Sequence, residues 1–412
     1  MYFSTCSYTQ VNDVIGLAGR GHDAKIVFDM DDPMGESSCV ACGECVQACP
    51  SGALMPSTGV DEAQVGDSMD FDREVKSVCP FCGVGCQISL KIKDDKVKWV
   101  DGIDGPANEN RLCVKGRFGF DYIDHSHRLK KPLIRIDGAP KGLNVNPEDP
   151  STHFREASWE EALTFAANGL RGRGREVAGF GSAKCTNEEA YLFQKFIRQG
   201  FGHNNVDHCT RLCHASSVAA LMENVGSAAV TATFNEIENA DVAIVIGANP
   251  SENHPVAATY FKQFSKRGGK LIVMDPRGQA LKRHSSHMLQ FRPGADVSML
   301  NAIMHVIVEE GLYDDDYVAK YTENWEAQKE HLKAFSPEKM ALICGIDAEM
   351  LRDVARTFAN AKAGMIFWGM GVSQHIHGTD NSRCLISLAF MTGNVGKPGA
   401  GLHPLRGQNN VQ

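Results

Sequence analysis

Residues 39 to 50 read Cys-Val-Ala-Cys-Gly-Glu-Cys-Val-Gln-Ala-Cys-Pro, which sets Cys39, Cys42, Cys45 and Cys49 in the run C-x2-C-x2-C-x3-C-P. This spacing serves 4Fe–4S cubes: three thiolates hold three irons of one cube, and the fourth serves a neighbouring cluster. Small residues such as Ala41 and Gly43 let a short loop wrap a cube closely, and Pro50 turns the chain away. A zinc knuckle fits poorly, because zinc sites usually pair two C-x2-C units across a longer separation. Cys49 should not ligate the cube of Cys39, Cys42 and Cys45, so that cube needs another thiolate. Cys6 is the only earlier cysteine.

A second set, Cys79, Cys82, Cys86 and Cys113, has the spacing C-x2-C-x3-C-x26-C. Four converging thiolates suit a second 4Fe–4S cluster, although spacing alone leaves zinc open. Further on, His208-Cys209-Thr210-Arg211-Leu212-Cys213-His214 gathers thiols and imidazoles. In a helix Cys209 and Cys213 would share a face. A buried thiol pair, a zinc site and a single thiolate on a redox metal all remain open there.

The elements that must position these groups follow from periodicity. Gln87 to Val100 alternates apolar and polar residues about Asp94-Asp95, predicting a β-hairpin that folds Cys113 back beside its set. Ser158 to Glu161 predicts a capping box before an amphipathic helix ending near Leu170. Asp241 to Gly247 and Lys270 to Met274 are continuous apolar runs flanking a helix near Val256 to Arg267. This is a βαβ unit, so the region is predicted to be doubly wound α/β. Ligands of such sheets bind beyond the strands' carboxyl ends, which singles out the loops starting at Gly247 and Asp275. Neither contains G-x-G-x-x-G, which disfavours a nicotinamide site.

The whole chain has 412 residues, 43% hydrophobic and 22% charged, a soluble globular composition long enough for two to four domains. Nine of its 14 cysteines lie in residues 1 to 113, and residues 1 to 70 hold 11 acidic side chains against two basic ones. A net charge of -8 argues against nucleic acid as a partner. No run approaches the roughly 18 apolar residues of a membrane span, and the start has no signal pattern. A cytoplasmic, reducing setting is expected, where clustered cysteines bind metal rather than form disulfides.

The pattern C-P-x-C-x-x-x-C, then C-V-K-G and an α/β region, resembles the molybdenum or tungsten bis-pterin oxidoreductases. It is most similar to the catalytic α subunits of cytoplasmic NAD-linked formate dehydrogenases. The resemblance implies a ferredoxin-like 4Fe–4S module over residues 1–70, a small β-rich 4Fe–4S domain over 71–130, and a doubly wound molybdopterin-binding region over 131–412. It implies two 4Fe–4S clusters, and molybdenum or tungsten held by bis-molybdopterin guanine dinucleotide. Cys213 would ligate that metal, His214 would line the substrate pocket, Arg383 would bind formate, and Lys115 would relay electrons. The guanosine-binding loops would contribute Gly247, Asn249, Ser251, Asn253, Asp275 and Arg277. Pterin contacts would come from Gly369, Met370, Gly371, Gln374, Gly407, Gln408 and Asn409.

The implied reaction is formate to CO2. Its electrons would pass to a flavin and iron–sulfur NAD-reducing subunit or another acceptor protein. Cys209 matches a position with no ligand role. The resemblance runs from about Gln10 to Gln412 and is incomplete at both ends, so the cluster served by Cys49 is expected upstream of Met1. Two alternatives remain: another bis-pterin enzyme such as a nitrate reductase, and a non-catalytic iron–sulfur subunit similar to that of respiratory complex I.

Overall fold

The computed structural model of the chain describes residues 4–60, 70–142 and 144–408. The N-terminal part carries a short hairpin, β1 (Ile15–Ala18) and β2 (Lys25–Phe28), followed by a helical turn at Glu44–Gln47. Next comes an antiparallel sheet of β3 (Arg73–Val78), β4 (Gln87–Lys93) and β5 (Lys96–Gly102). The predicted hairpin is its β4–β5 pair. Asp94 and Asp95 turn the chain with φ of 50° and 59°, the positive angles that a tight hairpin turn requires. The alternation read from the sequence did not include β3, whose residues are all exposed.

Two small pairs follow, β6 (Leu133–Arg135) with β7 (Phe154–Glu156), and β8 (Gly179–Gly181) with β9 (Val206–His208). The helix predicted after Ser158 spans Trp159–Leu170, and the Ser158 hydroxyl accepts the Glu161 N–H. The Glu161 carboxylate also binds Arg155, at 2.5 Å, so it is shared between Arg155 and the Ser158 backbone.

The largest sheet comprises β10 (Val242–Ile246), β11 (Lys270–Met274), β12 (His287–Leu289), β13 (Gly364–Trp368) and β14 (Gly401–Pro404). All pairs are parallel, and the order in space is β12-β11-β10-β13-β14. Numbered along the chain this is 3-2-1-4-5, the doubly wound order, with its topological switch between β10 and β13.

Alternate residues of these strands face different cores, as the two-residue period demands. Val242, Ile244 and Ile246 pack with the helices Asp296–Glu309, Ala348–Ala359 and Gly378–Met391. Ala243 and Val245 pack instead with the Pro255–Lys266 helix and with Cys79, Cys82, Cys86 and Cys113. No helix among the described residues is long and apolar enough to cross a membrane.

Candidate cofactor site and iron–sulfur sites

Cys79 ends β3, Cys86 precedes β4, and the Cys79 N–H donates to the Cys86 carbonyl at 2.8 Å. Cys113 returns to them because Asn108, fully buried, ties down the connecting loop. Its amide donates to the carbonyls of Gln87, Ile103 and Arg111, and its oxygen accepts the Gln87 N–H at 2.9 Å. All four thiols are buried. Burial pushes Cys79 up to about 11 and Cys86 higher still, and Cys82 and Cys113 add repulsion at both. Such a set resists ionisation alone and suits ions that supply the missing positive charge. Two lysines serve the same end, since Lys115 and Lys184 both favour the Cys82 thiolate.

The first set behaves alike. Burial is the main cause that raises Cys42 to about 12, with Cys45 and Cys39 adding to it. Cys45 is raised by burial and in turn feels Cys39 and Cys6. Cys6 is therefore electrostatically part of this set, and it accepts the Val14 N–H at 3.4 Å. Cys49 stands at the end of the turn, where its sulfur accepts the Leu54 N–H at 3.3 Å.

A cavity of about 650 Å³ opens at the carboxyl ends of β10, β11 and β13, at the topological switch. Gly247, Asn249, Asn253, Asp275, Arg277, Gly369, Met370, Gly371 and Gly407 all line it, together with Cys82 and Lys115. Backbone meets backbone beneath it: a Cβ on Gly247, where φ is 58°, would stand 2.7 Å from the Val372 nitrogen. Polar atoms around the cavity are buried without partners, namely Asn249 Oδ1, Ser251 Oγ, His254 Nδ1, Gln279 Oε1 and Asp296 Oδ1. Buried groups of this kind require hydrogen bonds, so a ligand edged with both donors and acceptors fits them.

Lys115 connects this cavity to the second thiol set. Its ammonium donates to the Glu252 carbonyl at 3.0 Å, and its charge favours the thiolates of Cys79 and Cys82.

Cys213 ends the turn Thr210–Cys213 and is buried against the loop after β14, where the Gly407 backbone and the Arg406 charge both favour its thiolate against the cost of burial. His214 is fully buried, with Nδ1 at 3.3 Å from both Ser217 and Ser373 and Nε2 unpartnered. Burial, aided by Arg406, pushes it down to about 4, so it is neutral at pH 7. Cys209 accepts the Ala183 N–H and adds repulsion at Cys213.

Arg383, the expected formate anchor, has a half-exposed guanidinium that is paired with Glu223 at 2.6 Å and Asp380 at 2.9 Å. Like Cys213, His214 and Arg406, it is not among the residues that line the cavity. The cation beside Cys213 and His214 is Arg406, which is 5% exposed, donates to the Ala228 carbonyl and keeps Nε unpartnered.

Gln374 donates to the Leu212 carbonyl at 2.6 Å, Gln408 lines a neighbouring crevice with Gly83 and Arg406, and Ser251 is not among the cavity's lining residues. Asn409 is outside the described residues. Arg406 opens the segment 406–410 read from the sequence as a pterin loop, without a role as the cation beside Cys213. Sequence reasoning missed His254, Gln279 and Lys184, and only the first had a signal, its place next to Asn253.

Comparison with known proteins agrees with this arrangement. Residues 128–411 match the molybdopterin oxidoreductase family, 72–125 match the molybdopterin oxidoreductase Fe4S4 domain, and 35–55 match a 4Fe–4S binding domain. The Fe4S4 matches decide the open question of zinc in favour of iron–sulfur. A formate dehydrogenase alpha subunit of Methanocaldococcus jannaschii is 39% identical over 84% of this chain and 49% of its own length. Formate dehydrogenase H of Escherichia coli is 39% identical over 82% of the chain and 47% of its own.

The chain thus spans about half the length of the curated relatives it matches. Acetylene hydratase from Pelobacter acetylenicus shares the fold with a TM-score of 0.70 at 23% identity, over 79% of this chain and 44% of its own. With the cavity at the switch point and the second thiol set beside it, these matches show that the chain belongs to the molybdopterin oxidoreductase family.

Proposed function

We propose that the chain forms the catalytic portion of a formate dehydrogenase, oxidising formate to CO2 and passing the electrons to a partner protein. The observation that carries this reading is the grouping of Cys213, neutral His214 and buried Arg406, next in the chain to Leu405 and Gly407, which line the cavity at the switch point.

A molybdenum or tungsten bis-pterin, when bound, supplies a two-electron acceptor, and the two 4Fe–4S clusters supply one-electron carriers. Cys213 would provide the protein's thiolate ligand, a soft donor suited to a redox metal. Asn249, Asn253, His254 and Asp275 would hold the dinucleotide, with Gly369, Met370, Gly371 and Gly407 letting backbone approach the pterin. Arg383 would be the formate anchor that the family resemblance implies, and a second cation, Arg406, is buried beside Cys213 and His214. A planar guanidinium orients a carboxylate better than an ammonium can. His214 would face the substrate or take a proton, while Ser217 and Ser373 fix the ring through Nδ1.

Lys115 spans the cavity wall and the second thiol set, which makes it the relay residue. Cys79, Cys82, Cys86 and Cys113 would hold one cluster, and Cys6, Cys39, Cys42 and Cys45 the other. Cys49 is left for a further cluster. The acidic N-terminal module would face the acceptor, for which we favour a flavin and iron–sulfur NAD-reducing subunit in the cytoplasm.

The test is formate-dependent dye reduction by protein loaded with metal, pterin and iron. Cys213→Ser should abolish it, and Arg406→Lys should lower kcat/KM roughly 100-fold or more. Arg383→Ala should weaken it by a comparable factor, as a carboxylate anchor requires. Nitrate turnover without formate turnover would sink the reading. Unchanged formate kinetics in Arg383→Ala would sink its anchoring role and leave the carboxylate to Arg406.

A further inference from the structure

The two thiol sets belong to different parts of the chain, yet one buried ion pair joins them. Glu44 lies between Cys42 and Cys45, and Arg117 lies on the helix that Cys113 caps, its N–H donating to the Cys113 carbonyl at 3.0 Å. Both side chains are buried, at 7% and 3% exposure. One carboxylate oxygen, Glu44 Oε1, accepts from Arg117 Nη2 and from the Leu112 N–H, each at 2.7 Å. Arg117 Nε donates to the Cys42 carbonyl at 2.8 Å, and Nη1 reaches the Val100 carbonyl at 3.4 Å. The pair therefore grips the backbone on both sides: Cys42 in the first set, and Leu112, next to Cys113, in the second.

The local backbone is shaped for this contact. Gly43 has φ of 71°, and a Cβ there would lie 2.1 Å from Arg117 Cδ. A second clasp runs parallel, where the Gln47 amide exchanges two hydrogen bonds of 2.9 Å with the Gly102 backbone. An apolar pair of similar size could fill the space, but it could not hold a carbonyl of one loop and an amide of the other.

We propose that Glu44 and Arg117 are positioning residues for electron transfer, fixing the spacing and orientation of the first cluster site relative to the second. This rests on the reading that both thiol sets hold clusters. In the step they serve, one electron leaves the reduced second cluster and enters the oxidised first cluster, and no atom or proton moves. The fork of Arg117 matters as well as its charge, since Lys could not reach Glu44 and the Cys42 carbonyl together.

The experiment uses the full chain carrying both clusters, with Glu44→Gln and Arg117→Lys as variants. Dithionite replaces formate as reductant. Failure of the formate reading would then appear separately, as wild-type clusters that dithionite reduces and formate does not. Iron content, the EPR interaction between the two reduced clusters, and the rate at which the second cluster reduces the first are measured. Iron content should match the wild type while the EPR interaction weakens and the transfer slows roughly tenfold or more, as for other residues supporting metal ligands. Unchanged interaction and rate in both variants would overturn the proposal. Loss of one cluster's iron in both variants would overturn it too, by assigning the pair to building that cluster.

Discussion

At the scale of single residues, the reactive region is built from groups whose ionisation is decided by burial. His214 is held down to about 4, and His254, which donates to the Arg406 carbonyl at 2.6 Å, is also lowered, chiefly by burial. For both, the unfolded chain takes up a proton near pH 6.5 while the folded chain still refuses it. Their contribution to stability is complete above that pH and is lost as pH falls below it, toward about 4 for His214. Each unit of separation is worth about 1.4 kcal/mol, so the urea midpoint of the metal-free protein should fall between pH 7 and 5. His254→Gln should reduce that dependence, and a flat wild-type midpoint would contradict neutral burial.

The residues legible in the sequence were those fixed by covalent spacing. Cys39, Cys42 and Cys45 come from one short run, and Cys6 lies near enough to raise Cys45, so chain connectivity leaves few other groupings to read. Arg406 was legible as the start of a pterin loop but not as the cation beside Cys213. Its role follows from a meeting of the loop after β14 with the Cys213 turn, nearly 200 residues away, and local spacing carries no trace of it.

At the scale of elements, the cavity depends on strands that end in close backbone contact. Gly247 adopts φ of 58°, and an added methyl would meet the Val372 nitrogen at 2.7 Å and the Gly371 carbonyl carbon at 2.8 Å. Neither is the mobile end of a side chain, so β10 and β13 would have to separate. Gly247→Ala should cost about 1–3 kcal/mol and sharply reduce pterin retained on purification, whereas Gly268→Ala, strained but unobstructed, should retain pterin normally. Equal pterin content in the two variants would refute the close-contact argument.

The strands themselves were readable because they are buried on both faces, which produces the uninterrupted runs at Val242–Ile246 and Lys270–Met274. β3 was missed for the opposite reason. Its residues are exposed, so hydrogen bonding to β4 alone defines it and no apolar pattern announces it. The cap at Ser158 shows a similar limit, since Arg155 shares Glu161 from outside the four-residue motif.

At the scale of the whole molecule, the second thiol set and the large sheet share one apolar core. Cys79, Cys82, Cys86 and Cys113 pack in it with Ala243, Val245, Phe261 and Phe367. Ligand binding to a native site adds its free energy to folding, so the iron should stabilise more than its own loop. Stripping iron with a chelator should lower the unfolding temperature of the large sheet itself by about 5 °C or more. Unchanged melting of that sheet would show that the cluster domain is energetically separate.

The same shared core has a consequence in time. The thiols that receive iron belong to the layer beneath strands whose ends form the pterin cavity, and Cys82 itself lines that cavity. A chain that has missed its iron should therefore offer the pterin an unfinished receptacle, and protein matured without iron should retain less pterin on purification than protein matured with it.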